Sequence, residues 1–488
     1  MFRYLCAVAA LLLFTAMSAQ DSIQYYSLER AINLSNRLLE AVRTTSKVAG
    51  ITAGVAKPEC ILWEAGYGYA DVEKRIPMDP SKKFRIASLS KVLTAAGLAR
   101  LYQEDRIDLD TSIMKYLPDL PPAFAGVTAR QLAGHTSGVR HYIDSDFSKT
   151  LIDFRSYPTI RDALPIFIRD PLAFAPGTNF QYSTFGFTLL SAVMEVAGGQ
   201  NFLTMMQKEV FTPLGMYNTI PNHPDSNITN MTLTYQLNKK GNLEPVKNSR
   251  PSYKWAGGGY LSNVTDLLNF GRVHLRPPAV FFTDKGQKAL CTPTVSLSGN
   301  WNPAGLGWFL SKDIRGRRHD FHSGSQTGAR AMLALYPEQN LIVSMLSNTG
   351  NTPVHIETVT MALADYFDDT QAFVLLPDSV LGDYHFEACE GSEAVQEGFI
   401  HFIRIEKGEV AGHFAPNKDK PKTKLPMPIV LFDGVRVRAY VATPDGIIFV
   451  DAEPPVDGHL KYGKMTFFQG GGPRTLTVTF KRVLPIVP

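Results

Sequence analysis

A serine and a lysine stand three residues apart in Ser88-Leu-Ser-Lys91. On a helix that spacing puts both side chains on one face. A serine hydroxyl is a weak nucleophile at its ordinary pKa and needs a basic partner, so Lys91 is placed to lower the cost of deprotonating Ser88. The chemistry of such a pair is acyl transfer, with attack on a carbonyl, an ester on the serine, and release by water. The same pattern recurs at Ser112-Ile-Met-Lys115. That copy lies between Asp110 and Pro118 and reads as a solvated turn. Ser88 instead opens the most apolar helical stretch of the chain, where an unpaired lysine would be expensive.

Two other groups carry chemistry. Tyr182, in Gln181-Tyr-Ser-Thr-Phe-Gly186, is a second candidate, although a core tyrosine is the commoner role. His322-Ser-Gly324, followed by Ser325, reads as a strand edge with a solvated histidine. Alternatively, its small residues let a substrate backbone lie close to the strand. Gly134-His-Thr-Ser-Gly138 is not a nucleophile elbow, because Thr136 occupies the central position that serine must hold. There is no phosphate-binding loop, no His-Glu-x-x-His and no dinucleotide fingerprint after a strand. Nothing pairs two carboxylates for glycoside hydrolysis.

The elements that must position these residues follow from periodicity. Residues 24–46 predict an amphipathic helix with Leu28, Ile32, Leu38, Leu39 and Val42 as buried positions. Ile51 to Val55 and Cys60 to Glu64 predict a hairpin, and residues 88–104 a buried helix. Strands return over 306–348, and a helix follows over 354–367. Strands at both ends with helices between them imply one sheet closed by the two ends. From Phe373 onward the helical period fades, and Asp433-Gly434 and Asp445-Gly446 punctuate β-rich runs. That predicts a separate all-β module, a small barrel or sandwich.

Hydrophobic residues make up 44% of the 488 residues and charged residues 19%, an ordinary globular balance. Lys plus Arg number 49 and Asp plus Glu 45, a net +4 that gives no case for nucleic-acid binding. No internal apolar stretch reaches membrane-spanning length. Residues 1–19 have Arg3, an apolar block and a small-residue exit at Ser18 or Ala19, the layout of a secretory signal peptide; the alternative is a mitochondrial presequence. Cys6 would leave with that leader, so Cys60, Cys291 and Cys389 form no disulfide framework and no metal spacing. Secretion would make Asn33, Asn227, Asn230 and Asn263 candidate glycosylation sites.

Eight stretches, in order, resemble the serine β-lactamase and penicillin-binding-protein superfamily, and within it the class C β-lactamase-like branch. They are Gly66-Tyr-Gly-Tyr-Ala-Asp71, Phe84-Arg-Ile-Ala-Ser-Leu-Ser-Lys91, Gln131-Leu-Ala-Gly-His-Thr-Ser-Gly-Val-Arg-His-Tyr142, Pro176-Gly-Thr, Tyr182-Ser-Thr-Phe-Gly, Tyr253-Lys-Trp-Ala-Gly-Gly-Gly259, Ser262 with Asp266-Leu267 and Phe270, and His322-Ser-Gly. The resemblance implies an α/β (α+β) transpeptidase-like fold over residues 20–370, an antiparallel sheet flanked by helices with a helical subdomain. Residues 371–488 would be the all-β domain, lipocalin-like in some relatives. It implies Ser88 as the acylated nucleophile, Lys91 as its partner and Tyr182 as the proton shuttle. His322 stands where many relatives have a lysine. The backbone N–H groups of Ser88 and Ser325 would form the oxyanion hole, with Ser323, Gly324 and Thr184 on the substrate side. Thr184 replaces the asparagine of the family's Tyr-x-Asn. The expected function is a serine hydrolase acting on small amides, peptides or esters, with no metal or organic cofactor. The alternative is an inactive scaffold used in binding or assembly.

Overall fold

The computed structural model describes residues 23–24, 27–148, 154–223, 225–247, 249–276, 281–294, 304–350, 352, 355–370, 373–405, 409–420, 424–444, 446–453, 455, 457, 459–469 and 472–483. The leader expected at residues 1–19 lies outside the described residues. In chain order the elements used below are helix α1 (Leu28–Thr45), strands β1 (Gly50–Ala56), β2 (Ile61–Asp71) and β3 (Ile76–Pro77), and helices α2 (Ser90–Gln103), α3 (Thr184–Gly198) and α4 (Val264–Leu275). Strands β4 (Phe309–Lys312), β5 (Arg318–Gln326), β6 (Ala329–Tyr336) and β7 (Leu341–Ser347) follow, and then helix α5 (Ile356–Phe367). Last come β8 (Gly382–Glu390), β9 (Glu393–Arg404), β10 (Val410–Ala415), β11 (Leu425–Phe432), β12 (Val437–Thr443), β13 (Gly446–Ala452), β14 (Tyr462–Gln469) and β15 (Gly472–Arg482).

The chain divides into two compact units, residues 47–352 and the remainder on either side. In the first, the two ends of the segment meet in one antiparallel sheet of seven strands, ordered β4-β5-β6-β7-β1-β2-β3. The join is β7 against β1, with Met345 opposite Ala53, and every residue of both strands is buried. This is the closure that the distribution of strands predicted. Helix α2 is apolar on nearly every side and is enclosed from Ser90 to Ala99, as a helix without a polar face must be.

In the second unit β8 to β15 close into an eight-stranded barrel, β8 pairing with both β9 and β15. Eight strands leave an interior that side chains fill. Tyr384, Phe386, Phe402, Phe414, Met427 and Met465 do so, with Phe386 stacked on Phe414. The barrel is a packed core, which resolves the choice between barrel and sandwich.

Helix α1 begins at Ser27, whose hydroxyl accepts the Arg30 N–H at 3.1 Å, satisfying an orphan donor of the first turn. It packs against α5, β11 and β12, and α5 packs against β13. The two helices therefore cluster with the barrel, whereas a boundary at 370/371 had grouped them with the sheet. Their apolar faces explain it: α1 buries Ala31, Leu34, Leu38, Leu39 and Val42. Leu28 is instead 40% exposed and Ile32 only half-buried, so the predicted stripe was out of phase at the N-terminus.

Cys60, Cys291 and Cys389 are free thiols. Asn33, Asn227 and Asn230 are exposed. Asn263 is not available for a glycan: it is 2% exposed and caps α4 by accepting the Asp266 N–H. Among the described residues no helix is long and apolar enough to cross a membrane.

Candidate active site

Ser88 lies in the middle of a short 3-10 turn, Ala87–Leu89, that leads into α2. The helix expected from residue 88 thus begins two residues later. Ala87 has φ +47°, a left-handed conformation that costs a non-glycine residue roughly 1–2 kcal/mol. Neighbouring pairing holds it there. Ile86 donates its N–H to Tyr260 O at 3.2 Å, and Phe84–Arg85 pairs with Leu261–Ser262.

One turn on, Lys91 is 0% exposed. Its Nζ lies 3.3 Å from Ser88 Oγ, 3.2 Å from Thr184 Oγ1 and 2.6 Å from Gly257 O. It also lies 4.7 Å from the centre of the Tyr182 ring. Burial, and then the charge of Lys254, hold the Lys91 amine well below the usual lysine range. A neutral amine has two N–H groups and one lone pair. With N–H groups on Gly257 O and Thr184 Oγ1, the lone pair of such an amine would be left for the Ser88 O–H.

Tyr182 directly precedes Ser183, the N-cap of α3. The residue as a whole is half-buried, and its hydroxyl is hydrogen-bonded to Ser88. Enclosure pushes the phenol above its usual pKa, and the Ser88 bond opposes this only partly. The two shifts run apart, the amine's downward and the phenol's upward, the pattern by which a base and an acid are told apart.

The strand β5 forms the other wall. His322 is 2% exposed, its Nδ1 2.6 Å from Ser323 O, and burial followed by Lys91 lowers its pKa to about 3. It is a neutral imidazole, without the permanent charge of a lysine. Its ring centre lies 6.1 Å from that of Tyr182. Gly324 admits no side chain: a Cβ there would stand 2.0 Å from Ile86 O and 3.2 Å from Leu89 N. The room expected for a substrate backbone is thus taken by the chain's own Ser88 turn, pressed against β5. Ser325 is exposed, and Arg330, its cross-strand partner, reaches its hydroxyl. Thr184, expected to face substrate, is 2% exposed and holds Lys91 instead. The second Ser-x-x-Lys forms a turn in which Ser112 caps the Met114 N–H and Lys115 is exposed.

Several participants escaped sequence reasoning. Gly257 contributes a carbonyl, which no side-chain pattern announces. Lys254, 9% exposed, adds its field to the burial that lowers the Lys91 pKa. His135 and His141, in the same stretch as Gly134–Gly138, flank Tyr182 with ring centres 4.4 and 5.4 Å away.

Residues 36–366, which carry this whole constellation, match the profile of the Beta-lactamase family. The chain belongs to the beta-lactamase family. Within that family it is similar to serine beta-lactamase-like protein LACTB, mitochondrial, of Homo sapiens: 30% identical over 435 residues, covering 68% of this chain and 79% of that one. The penicillin binding protein from Bacillus halodurans is similar in structure, with TM-score 0.57 and 26% identity over 67% of this chain and 98% of its own. The octameric penicillin-binding protein homologue from Pyrococcus abyssi shares the fold over 92% of this chain and 99% of its own, with TM-score 0.60 and 21% identity. The order of motifs read from the sequence thus identified the family correctly.

Proposed function

We propose that this chain is a serine hydrolase that works through an acyl-enzyme on small amide, peptide or ester substrates. The observation that carries the reading is the buried Lys91 amine 3.3 Å from Ser88 Oγ with the Tyr182 phenol bonded to the same oxygen. Ser88 Oγ attacks the substrate carbonyl as its proton passes to Lys91 Nζ. The oxyanion is met by the N–H groups of Ser88 and Ser325; one such donor is worth about 3 kcal/mol. Tyr182 gives its proton to the departing amine or alcohol and is reprotonated from Lys91. Water then attacks the ester, its proton returns through the same pair, and the acid leaves with Ser88 restored.

A fluorophosphonate tests this directly: Ser88 Oγ displaces fluoride and gains the phosphonyl mass. Wild type is expected to label on Ser88, and Ser88→Ala not at all. Folded wild type that takes no label overturns the reading and leaves the scaffold alternative. Gly324→Ala should cut the labelling rate by about 100-fold, because the Cβ must displace the turn that aims Ser88. An unchanged rate in that variant would show that the turn does not depend on β5.

The likeness to mitochondrial LACTB favours the mitochondrial alternative for the leader over secretion. Labelled protein is then expected in the mitochondrial fraction, without glycans at Asn33, Asn227 or Asn230.

A further inference from the structure

The segment 135–141 is stitched to the residues around Tyr182 on both sides. Gln181 donates its N–H to His135 O at 2.9 Å. Ser183 donates its N–H to His135 Nδ1 at 3.1 Å, and Thr184 donates its N–H to His141 Nδ1 at 3.2 Å. Ser183 Oγ donates to Arg140 O at 2.8 Å. Ser183 and Thr184 are the N-cap and first residue of α3, whose backbone N–H groups have no partner inside the helix. Two imidazoles from a remote segment satisfy them.

We infer that His135 and His141 are positioning residues, whose Nδ1 atoms fix the Tyr182 phenol and the Thr184 hydroxyl against Ser88 and Lys91. This rests on the hydrolase reading for its consequence, though not for its geometry. An imidazole nitrogen accepts only when unprotonated. Both rings meet that condition. His135 is 2% exposed and is held well below its ordinary pKa by burial and then by Lys91, His322 and His141. His141 is lowered to about 4 by burial, then Lys91 and Lys254, against the pull of Asp146. With Nδ1 accepting, the proton sits on Nε2. In His135 that Nε2–H is buried among Phe180, Tyr182 and Phe187, with no acceptor among the described residues. A phenylalanine would pack against those rings without leaving a donor unmet. The structure carries an orphan N–H on one side of the ring where the other side supplies the acceptor.

The test uses two substitutions at each position. His135→Asn and His141→Asn put an amide Oδ1 where Nδ1 stands, and His135→Phe and His141→Phe keep a ring without an acceptor. Two readouts are followed in the full chain: the rate of fluorophosphonate labelling of Ser88, and the ring 13C resonance of Tyr182 assigned with Tyr182→Phe. The Phe variants are expected to lose about 100-fold in rate, the cost of misplacing a catalytic group by an ångström, and to shift the resonance. The Asn variants are expected to restore most of both. Phe variants that match wild type in rate and resonance overturn the inference, as do folded Asn variants that restore neither. Should the Phe variants fail to fold, a shifted Tyr182 resonance in the folded Asn variants also overturns it. If wild type takes no label but the resonance moves with Phe and not with Asn, the cradle stands and the hydrolase reading falls.

Discussion

Replacing Lys91 by methionine is expected to slow fluorophosphonate labelling of Ser88 on the order of 1,000-fold, the loss typical of removing a positioned general base. That is about 4 kcal/mol on the activation barrier. The stability change should be much smaller, because two terms oppose. Methionine removes an amine whose enclosure is unfavourable, shown by the downward displacement of its pKa. It also strands Gly257 O and Thr184 Oγ1, which Lys91 now serves at 2.6 and 3.2 Å, at roughly 1–3 kcal/mol for unmet acceptors. A thermal melt within a few degrees of wild type, together with the collapsed rate, is the expected pair of results. An undiminished rate would remove Lys91 from the chemistry. A collapsed melt would make it a structural residue.

Acid should unfold the unit spanning residues 47–352 well before ordinary acid denaturation. His274 is enclosed and lowered to about 4, while His319 and His322 are each lowered to about 3, burial being the first cause in all three. Above pH 6.5 these side chains are neutral in both folded and unfolded chains, and stability does not depend on them. Below 6.5 the unfolded chain binds protons that the folded one refuses, so stability falls as pH falls toward the folded values. Between pH 6.5 and 4 each group removes about 3 kcal/mol. Together the three approach the whole stability of a typical domain, about 5–15 kcal/mol. Asp266 and Asp320, both raised by burial, push the other way, so the clean measurement is a difference. His274→Leu, which removes one titrating group, is expected to shift the acid midpoint downward, read by circular dichroism from pH 7 to 4. Wild type and variant with the same pH slope would refute this.

The candidate site was legible because its members announce themselves locally. Ser88 and Lys91 are one turn apart, and Tyr182 and His322 sit in short motifs whose order along the chain is informative. What was illegible depends on pairings across the fold. Gly257 works through its carbonyl, and Gly324 through the atoms it leaves room for. Thr184 was assigned to the substrate because the family has an amide there, but only geometry shows its hydroxyl turned inward to Lys91. Asn263 satisfies a glycosylation pattern that takes no account of burial. The β-rich character of the C-terminal region was readable, whereas closure of the barrel depends on β8 meeting β15 some ninety residues later. The phase of α1 failed at Leu28 because a short apolar stripe admits two registers until a partner surface chooses one.

The meeting of β1 and β7 places Ile51 opposite Ser347. Everything between those two residues, the nucleophile included, therefore departs from and returns to nearly the same point, about 5 Å across for facing strands. In topological terms residues 47–352 are a guest inserted into a host chain at a single locus. Such a guest enters and leaves the host at adjacent residues, so the ends that the host chain presents to it lie close together.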